Sequence, residues 1–417
     1  MSIGYACVAV AVNGSEMKSC TLKNANEELL LSLIKHNLSA LESVIDYNVV
    51  NGIKLFRISS DLIPFGSSIA ADMPWHESFS GEFSRIGQKI FKAGMRVSMH
   101  PGQYTVLNSI NIAVVERAIK DLDYHAKVLD ALGLDVEHKM VLHLGGAYGN
   151  KSLAIKRFIA HYLQLKPAVQ SRLVIENDDT MFNINDVLEA SVIADIPVVF
   201  DSLHNAVNPA DNAASELDWI KICATTWKMG DGLQKVHYSQ QNPSKKTGAH
   251  SETIEFEKFL EFYHRLSGRD IDIMLEVKDK NISALKCINC VSNQGIGTLE
   301  REWARYKYSI LERSPAEYER IRTILTDKNS YPALVMYRLI EDAYRTPINK
   351  GNAVNAAQHV WGYFKNKATK FEKNRFDQLM KKYLSDDSSL TSLKNYLRRI
   401  ARKYNERYLL NGYYFYL

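Results

Sequence analysis

The sequence predicts an α/β protein, a (β/α)8 barrel with a C-terminal all-helical extension, from three observations. Eight apolar runs of five to eight residues alternate with amphipathic stretches of 12–20 residues across about the first 280 positions, as repeated βα units do. Eight strand–helix units are the number that closes a TIM barrel. The alternative, an open doubly wound sheet, is less favoured because no glycine-rich phosphate loop follows the first apolar run.

In chain order, each apolar run is predicted to form a strand, and the amphipathic stretches between them are predicted to form helices. The predicted strands cover residues 3–10, 54–58, 95–100, 140–144, 172–176, 197–201, 235–239 and 271–277. Helices are predicted at 27–47, 82–93, 112–132, 152–163 and 255–266. In the first of these, apolar residues recur at i, i+3 and i+4, at Leu30, Leu33, Ile34, Leu38, Leu41 and Val44.

Composition limits the class of protein. Of 417 residues, 46% are hydrophobic and 24% are charged, as in a globular protein with an ample core. No apolar run approaches the ~20 residues that span a bilayer, and the apolar N-terminus lacks the basic segment and cleavage site of a signal peptide. The five cysteines are few and odd in number, which is typical of a reduced, cytoplasmic protein. We therefore expect no membrane partner.

From about Gln294 the pattern changes to helices alone. We predict a barrel domain at 1–293 and a helical domain at 294–417, with helices at 299–311, 315–325, 332–343, 353–367, 370–383 and 390–410. From residue 300 onward there are 23 lysines and arginines and 13 acidic residues, although the whole chain carries only +5. Such a basic domain suits an anionic polymer as partner, and an ordinary solvated surface is the alternative. Its C-terminal tyrosines fit either a nucleic-acid surface or a bundle core.

Metal-ligand residue types recur at the ends of the predicted strands. They are His100, His143, Glu176, Asp201, His204, His237, His250 and Glu276, with Lys235 two residues before His237. In a barrel these positions meet on the C-terminal face, where barrel enzymes carry their active sites. Three carboxylates buried there without cations would be very costly, and mixed imidazole and carboxylate ligands suit zinc, manganese or iron. Eight such residues predict two or three metal ions, with a purely structural polar network as the alternative.

The same residues lie in a set of motifs that resembles one enzyme family. The motifs are His100-Pro-Gly-Gln-Tyr, His143-Leu-Gly-Gly-Ala-Tyr-Gly-Asn-Lys, Ile175-Glu-Asn-Asp-Asp, Phe200-Asp-Ser-Leu-His, Lys235-Val-His-Tyr-Ser and Leu275-Glu-Val-Lys-Asp-Lys. Their identity and order over roughly residues 1–290 resemble the UV damage endonucleases, which belong with the endonuclease IV type of nucleases among TIM barrels. The tail around residues 355–364 resembles a small bacterial all-helical domain of unknown function.

The resemblance implies a monomeric DNA repair enzyme that acts on double-stranded DNA containing UV lesions, in the cytoplasm at the nucleoid. It implies hydrolysis of the phosphodiester immediately 5′ to pyrimidine dimers and (6-4) photoproducts, leaving 3′-hydroxyl and 5′-phosphate ends. The resemblance implies a three-metal site, usually with Mn2+, whereas the number of ligand residues predicts two or three divalent ions; Mg2+, Co2+ or Zn2+ are the alternatives. The family's ligands fall on the eight residues above. Glu176, His237 and Lys235 would be catalytic, and in the family this lysine can be carboxylated.

The resemblance implies three further residues that contact the lesion, and the position of Arg57 where a strand meets a loop adds a candidate contact with the DNA. Gln103 and Tyr104 take the positions of the family's lesion-probing residues, and Tyr5 would lie beside the lesion pocket. Structural packing is the alternative for both tyrosines. Arg57 is assigned to a phosphate contact, with an ion pair inside the barrel as the alternative. The family's asparagine close to the first-strand aromatic residue has no counterpart in this sequence.

Other functions use the same scaffold. An abasic-site endonuclease of the endonuclease IV type would differ in its lesion pocket. A metal-dependent sugar isomerase also ends its barrel strands in Glu, Asp and His, but its site normally needs fewer histidines than the five found here. A binding protein with a structural cluster would not need so many ligands on one open face. Cys287 and Cys290 form an isolated CxxC, which we assign to helix packing.

Overall fold

Parallel strand pairing closes a barrel, as predicted. The structure, a computed structural model, describes residues 1–210 and 214–417. Its barrel strands within those ranges are β1 (Ile3–Cys7), β2 (Leu55–Ile58), β3 (Arg96–Met99), β4 (Met140–His143), β5 (Leu173–Glu176), β6 (Val198–Asp201), β7 (Gln234–Tyr238) and β8 (Ile271–Leu275). Neighbours in sequence are neighbours in space, and β1 closes the ring by pairing with β8. The predicted fold class is therefore confirmed.

The strands lie where they were predicted but most are shorter. The largest difference is in β1, which was predicted to reach Val10 and ends at Cys7. Cys7 has a φ of 72°, in the left-handed region that a β-strand cannot continue through. The apolar pattern extends past this point, so hydrophobicity alone overestimated the length of the strand.

Helices follow or connect the strands around the barrel. They are α1 (Glu27–Val50), α2 (Trp75–Ser78), α3 (Ser80–Lys92), α4 (Ile112–Ala131), α5 (Lys151–Tyr162), α6 (Pro167–Gln170), α7 (Ile184–Ala194), α8 (Ser202–Val207), α9 (Glu216–Ala224), α10 (Phe256–Arg265) and α11 (Asn281–Val291). Helix α1 begins where the Asn26 side chain accepts a hydrogen bond from the Leu29 amide at 2.9 Å, a standard N-cap. Its predicted apolar stripe is buried.

The pairing register brings ligand-type side chains to the same height on the barrel. His143, the last residue of β4, lies opposite Glu176, the last residue of β5. Asp201, the last residue of β6, lies opposite His237 on β7. Because all the strands are parallel, these side chains meet at the carboxyl-terminal rim.

The described chain divides into two structural units. One consists of Met1–Ala9, Gly14–Ile254 and Glu261–Leu285, and the second consists of Val10–Asn13, Glu255–Leu260 and Lys286–Leu417. The predicted domain boundary at 293/294 stays a prediction. Further helices of the second unit are α12 (Ile296–Leu311), α13 (Pro315–Ile324), α14 (Ala333–Arg345), α15 (Lys350–Trp361), α16 (Lys370–Leu384), α17 (Leu390–Lys403) and α18 (Arg407–Leu410).

The last predicted helix, at 390–410, is wrong as a single element. Helix α17 ends at Lys403, and Asn405 has a φ of 48°, which breaks the helix before α18 begins. Helices α15, α16 and α17 share one apolar core, which also includes Tyr414. Tyr413 and Tyr414 are buried, as a bundle core requires, whereas Tyr408 is 39% exposed.

Two predictions about the rest of the chain can also be compared with the structure. Across the described residues, no helix combines the length and the apolar character that crossing a bilayer demands. All five cysteines are free, and on α11 Cys287 is buried while Cys290 is partly buried. Their position on one helix agrees with the assignment to packing.

Candidate metal centre at the barrel rim

The eight predicted ligand residues surround one region at the carboxyl ends of the strands. The imidazole rings form a chain from His100 to His143 (5.2 Å between centroids), then to His204 (5.7 Å) and to His250 (6.4 Å). His237 lies 6.3 Å from His100 by the same measure. The prediction that these side chains converge on one rim therefore agrees with the geometry.

Glu176 is the carboxylate around which the imidazoles gather. Its Oε1 lies 2.6 Å from Nδ1 of His237, and its Oε2 lies 3.1 Å from Nε2 of His100 and 3.7 Å from Nε2 of His143. The side chain is 1% exposed. Burial by itself would raise the pKa of Glu176, but the charge of His237 and the hydrogen bonds from His100 and His237 hold it well below its ordinary value.

Asp201 links the cluster to the start of α8. Its Oδ1 accepts a hydrogen bond from the His204 amide at 2.7 Å, as an N-cap does. The His204 ring is oriented by the Asn177 carbonyl oxygen, 2.9 Å from its Nδ1. Burial raises the pKa of Asp201 to about 7. Burial would lower the pKa of His204, but the carboxylates of Asp201 and Glu176 and the hydrogen bond with the Asn177 carbonyl together outweigh it and raise that pKa to about 9.

Glu276, just past β8, joins the remaining groups. Its Oε1 accepts a hydrogen bond from the Arg57 guanidinium and lies 3.4 Å from Nδ1 of His237. Its Oε2 lies 3.8 Å from Nδ1 of His250, whose backbone pairs with Gln241 in an isolated bridge. Arg57 is 13% exposed, so the structure favours the ion-pair alternative and corrects the assignment of Arg57 to a DNA phosphate.

The donor set fits divalent cations. Candidate ligand atoms lie within 4.8 Å of one another in two groups that share Glu176, one with His100 and His143 and one with Asp201 and His237. Among the described residues, buried Nδ1 of His143, Oδ2 of Asp201 and Nε2 of His237 have no hydrogen-bond partner. Buried polar atoms are normally paired, so these three suit coordination. Imidazole and carboxylate ligands are suitable for manganese, zinc or iron.

Lys235 lies on the same side of β7 as His237, two residues earlier and deeper in the barrel. It is fully buried, and its Nζ has no hydrogen-bond partner within residues 1–210 and 214–417. Burial, reinforced by the charge of Arg96, lowers the pKa of Lys235 well below its ordinary value. The opposite residue on β8 is Asp272, which already accepts a hydrogen bond from Arg96 at 2.9 Å.

A cleft of about 350 Å³ opens beside the cluster. It is lined by Gln103, His143 and His204 together with turn residues that follow β4 and β5. Gln103 and its neighbour Tyr104 are both exposed, Tyr104 to 69%. These two predicted lesion contacts therefore lie at the surface, where a bound molecule can reach them.

Tyr5 lies elsewhere, which contradicts its predicted place beside a lesion pocket. It is fully buried, its hydroxyl donates to Oδ1 of Asn48 on α1 at 2.8 Å, and its ring packs edge-on against Phe56. The packing alternative is the one that the structure shows. The alternation of side chains along β1 distinguishes its two faces but does not predict which face packs against a helix.

Known proteins are similar to this chain over the residues that form the barrel and its rim. The model of a family described as UV-endonuclease UvdE matches residues 1–303. A UV DNA damage endonuclease of Clostridium perfringens (strain 13 / Type A) is 44% identical over 290 residues, covering 69% of this chain and 70% of that protein. One of Bacillus pumilus (strain SAFR-032) is 32% identical over 314 residues, covering 72% of this chain and 98% of that protein. The chain belongs to the UvdE family.

Structural comparison agrees with the UvdE assignment. The crystal structure of SacUVDE matches with a TM-score of 0.66 and 37% sequence identity, covering 70% of this chain and 98% of that one. Membership in the UvdE family makes this chain a DNA endonuclease of UV-damage repair, with DNA as its substrate. Residues 307–417 match a different family model, a protein of unknown function (DUF1722), in agreement with the resemblance noted for the tail.

The hydrogen bonds that hold the backbone of His100 in this UvdE chain were not predicted from the sequence. The Ser60 hydroxyl donates to the His100 carbonyl oxygen at 2.9 Å, and Nε2 of His125 lies 2.9 Å from the same hydroxyl. His125 is fully buried on α4. A histidine within the apolar stripe of a predicted helix was the available signal, but it does not reveal a partner 65 residues away.

Metal binding by the UvdE site is expected to be pH-dependent. A histidine that binds a metal must be neutral, and because the pKa of His204 is about 9, a cation must displace its proton at neutral pH. Affinity for Mn2+ should therefore rise as the pH rises towards 9, by about tenfold per pH unit for one displaced proton. Below about pH 7, protonation of Asp201 should make the loss steeper.

Calorimetric titration of the metal-free protein with Mn2+, in buffers of different ionisation enthalpy, measures the released protons. His204→Gln should release about one proton fewer, whereas His264→Gln, at an exposed position on α10, should behave as wild type. An affinity that does not change with pH would contradict this interpretation.

Proposed function

We propose that this protein incises duplex DNA immediately 5′ to UV photolesions, both pyrimidine dimers and (6-4) photoproducts, leaving 3′-hydroxyl and 5′-phosphate ends. The proposed cofactor is Mn2+ in two or three sites, with Mg2+, Co2+ or Zn2+ as alternatives, and the protein acts as a monomer. The observation that carries the proposal is the pair of ligand groups that share Glu176 at the barrel rim. Two sites sharing one carboxylate suit the displacement of a phosphate ester, in which two oxygens need stabilisation at once.

The proposed ligands are His100, His143, Glu176, Asp201, His204, His237, His250 and Glu276. Divalent cations held there would stabilise charge on the phosphate and lower the pKa of water, so that hydroxide forms near neutral pH. The protein's own contribution is orientation. The Asn177 carbonyl fixes the His204 ring, and Arg57 holds Glu276, as partners behind a ligand normally do.

Lesion recognition is proposed for Gln103 and Tyr104. A dimer stacks and pairs poorly, so removing it from the duplex costs less than removing normal bases. An aromatic side chain can fill the gap that is left in the stack. The exposure of Tyr104 at 69% and the position of Gln103 in the lining of the cleft support this assignment.

Incision of a duplex with one cyclobutane dimer is the experiment that tests the proposal. Cleavage just 5′ to the dimer is expected with added Mn2+ and should be lost with chelator, while undamaged DNA stays intact. An abasic-site duplex is run beside it. Cleavage at the abasic site alone would replace the proposed function with the endonuclease IV type, and cleavage of neither duplex by the metal-loaded protein would reject both.

The same assay tests the lesion contacts. Tyr104→Ala and Gln103→Ala should lower kcat/KM for the dimer about tenfold or more, because unstacking is no longer compensated. Phe91→Ala, which removes an aromatic ring that is 82% exposed on α3, is the matched control and should have no effect. Equal activity of Tyr104→Ala and Phe91→Ala would overturn the role of Tyr104.

Lys235 is proposed to act in catalysis, in agreement with the family's lysine, which can be carboxylated. Lys235→Met removes a buried amine that has no partner within the described residues, and an unsatisfied buried polar group costs free energy that an apolar residue of similar volume does not. We therefore expect an unchanged or higher melting temperature, together with incision that is about 10–100-fold slower.

Lys139→Met is the matched control for Lys235→Met. Lys139 is also buried, but its Nζ donates to Asp231 at 2.6 Å and to the Ser171 carbonyl at 2.8 Å. Removing it should lower the free energy of unfolding by about 1–3 kcal/mol with little change in kcat of the folded protein. Full activity of Lys235→Met would contradict the catalytic role.

A further inference from the structure

The second unit carries a strong positive charge that the proposed incision chemistry does not use. Residues 363–417 contain 13 lysines and arginines and five acidic residues. Residues 1–299 contain 29 lysines and arginines and 34 acidic residues. The part of the chain that holds the metal centre is therefore net acidic before any cation binds, and a polyanionic substrate gains little long-range attraction from it.

Three cations of the second unit lie near one another where α16 packs against α17. Arg375 on α16 and Arg399 and Lys403 on α17 are exposed there. All three charges act on the hydroxyl of Tyr396. Burial and the nearby Glu372 raise the pKa of that hydroxyl, and the three cations lower it. The Arg399 guanidinium lies 5.2 Å from the centroid of that ring. We call these three cations the basic seam.

The acidic residue beside the basic seam is already bound by Lys403 of the seam and by groups outside it. Glu372 accepts hydrogen bonds from Lys403 at 2.5 Å and from Tyr404 at 2.8 Å, and it closes the capping box of α16 with Thr369. Within residues 1–210 and 214–417, Arg375 and Arg399 have no carboxylate partner. Two guanidinium groups of the seam are therefore available for an external anion.

An exposed aromatic ring extends the same surface. Phe371 is 78% exposed and lies one helical turn before Arg375, so the two side chains are neighbours on α16. Exposed aromatic rings and cations lie side by side on nucleic-acid-binding surfaces, where the cations contact phosphates.

We propose that the basic seam binds the phosphate backbone of duplex DNA, without reading its sequence. Planar guanidinium groups match phosphate oxygens in geometry, and neutralising phosphates releases counterions, which favours binding at low salt. The inference rests on DNA as the substrate of this family, but not on the proposed position of incision or on the metal centre. Binding to the seam keeps undamaged duplex close to an enzyme whose catalytic part is itself acidic.

Arg375→Gln combined with Arg399→Gln tests this proposal in the full-length protein. Fluorescence anisotropy with an undamaged duplex should show a Kd about tenfold or more above wild type at low salt. The slope of log Kd against log salt should become shallower by about two, because about 0.9 counterions are released per neutralised phosphate. Saturating kcat on the dimer duplex should stay at the wild-type value, so failure of incision is distinguishable from failure of the seam.

The control is Arg320→Gln combined with Arg322→Gln, which removes two exposed arginines from α13 that pair with Glu317 and Glu319. This variant should bind duplex nearly as wild type, and melting temperatures check that both variants fold. If both variants bind the duplex equally weakly, the loss of affinity comes from net charge alone and not from the seam. If the seam variant binds the duplex as tightly as wild type, the proposal is rejected. Loss of binding to phosphatidylserine vesicles with unchanged DNA binding would assign the seam to a membrane instead.

Discussion

Closure of a parallel barrel is the constraint on which the rest of the structure depends. Eight strands that run in one direction must end on one rim, and their register puts His143 beside Glu176 and Asp201 beside His237. Residues that are tens of positions apart in the sequence thereby become neighbours whose candidate ligand atoms lie within 4.8 Å of one another. Six of the eight candidate ligands lie on a strand or directly after one, and His204 and His250 are the exceptions; side chains on such rigid elements favour a defined coordination geometry.

That closeness creates an electrostatic problem. Glu176 and Asp201 are buried and Glu276 is only 12% exposed, and carboxylates removed from water need cations nearby. The Arg57 guanidinium supplies the positive charge beside Glu276, and protonated His204 supplies it beside Asp201 at neutral pH. The unpaired atoms of Asp201, His143 and His237 among the described residues indicate that the side chains are arranged for more positive charge than the protein itself supplies.

Much of this arrangement could be predicted from the sequence because it depends on local signals. Apolar runs locate the eight strands, and a polar residue at the end of an apolar run marks a rim position. Partners distant in the sequence could not be predicted: the ion pair of Arg57 with Glu276 joins residues 219 positions apart. The backbone conformation at Cys7 and at Asn405 could not be predicted either, because the apolar pattern does not indicate a left-handed φ at these residues. Tyr5 shows a third limit, because alternation along a strand does not distinguish the helix-facing side from the barrel interior.

The central claim is that the rim binds two or three metal ions through the eight ligands. Anomalous X-ray diffraction at the manganese edge, from crystals grown with Mn2+, tests it directly. Two or three anomalous peaks are expected among these side chains, one of them against Glu176, with at least one peak lost in crystals of Asp201→Asn. No peak at the rim, or one peak only and the same peak in Asp201→Asn, would contradict it.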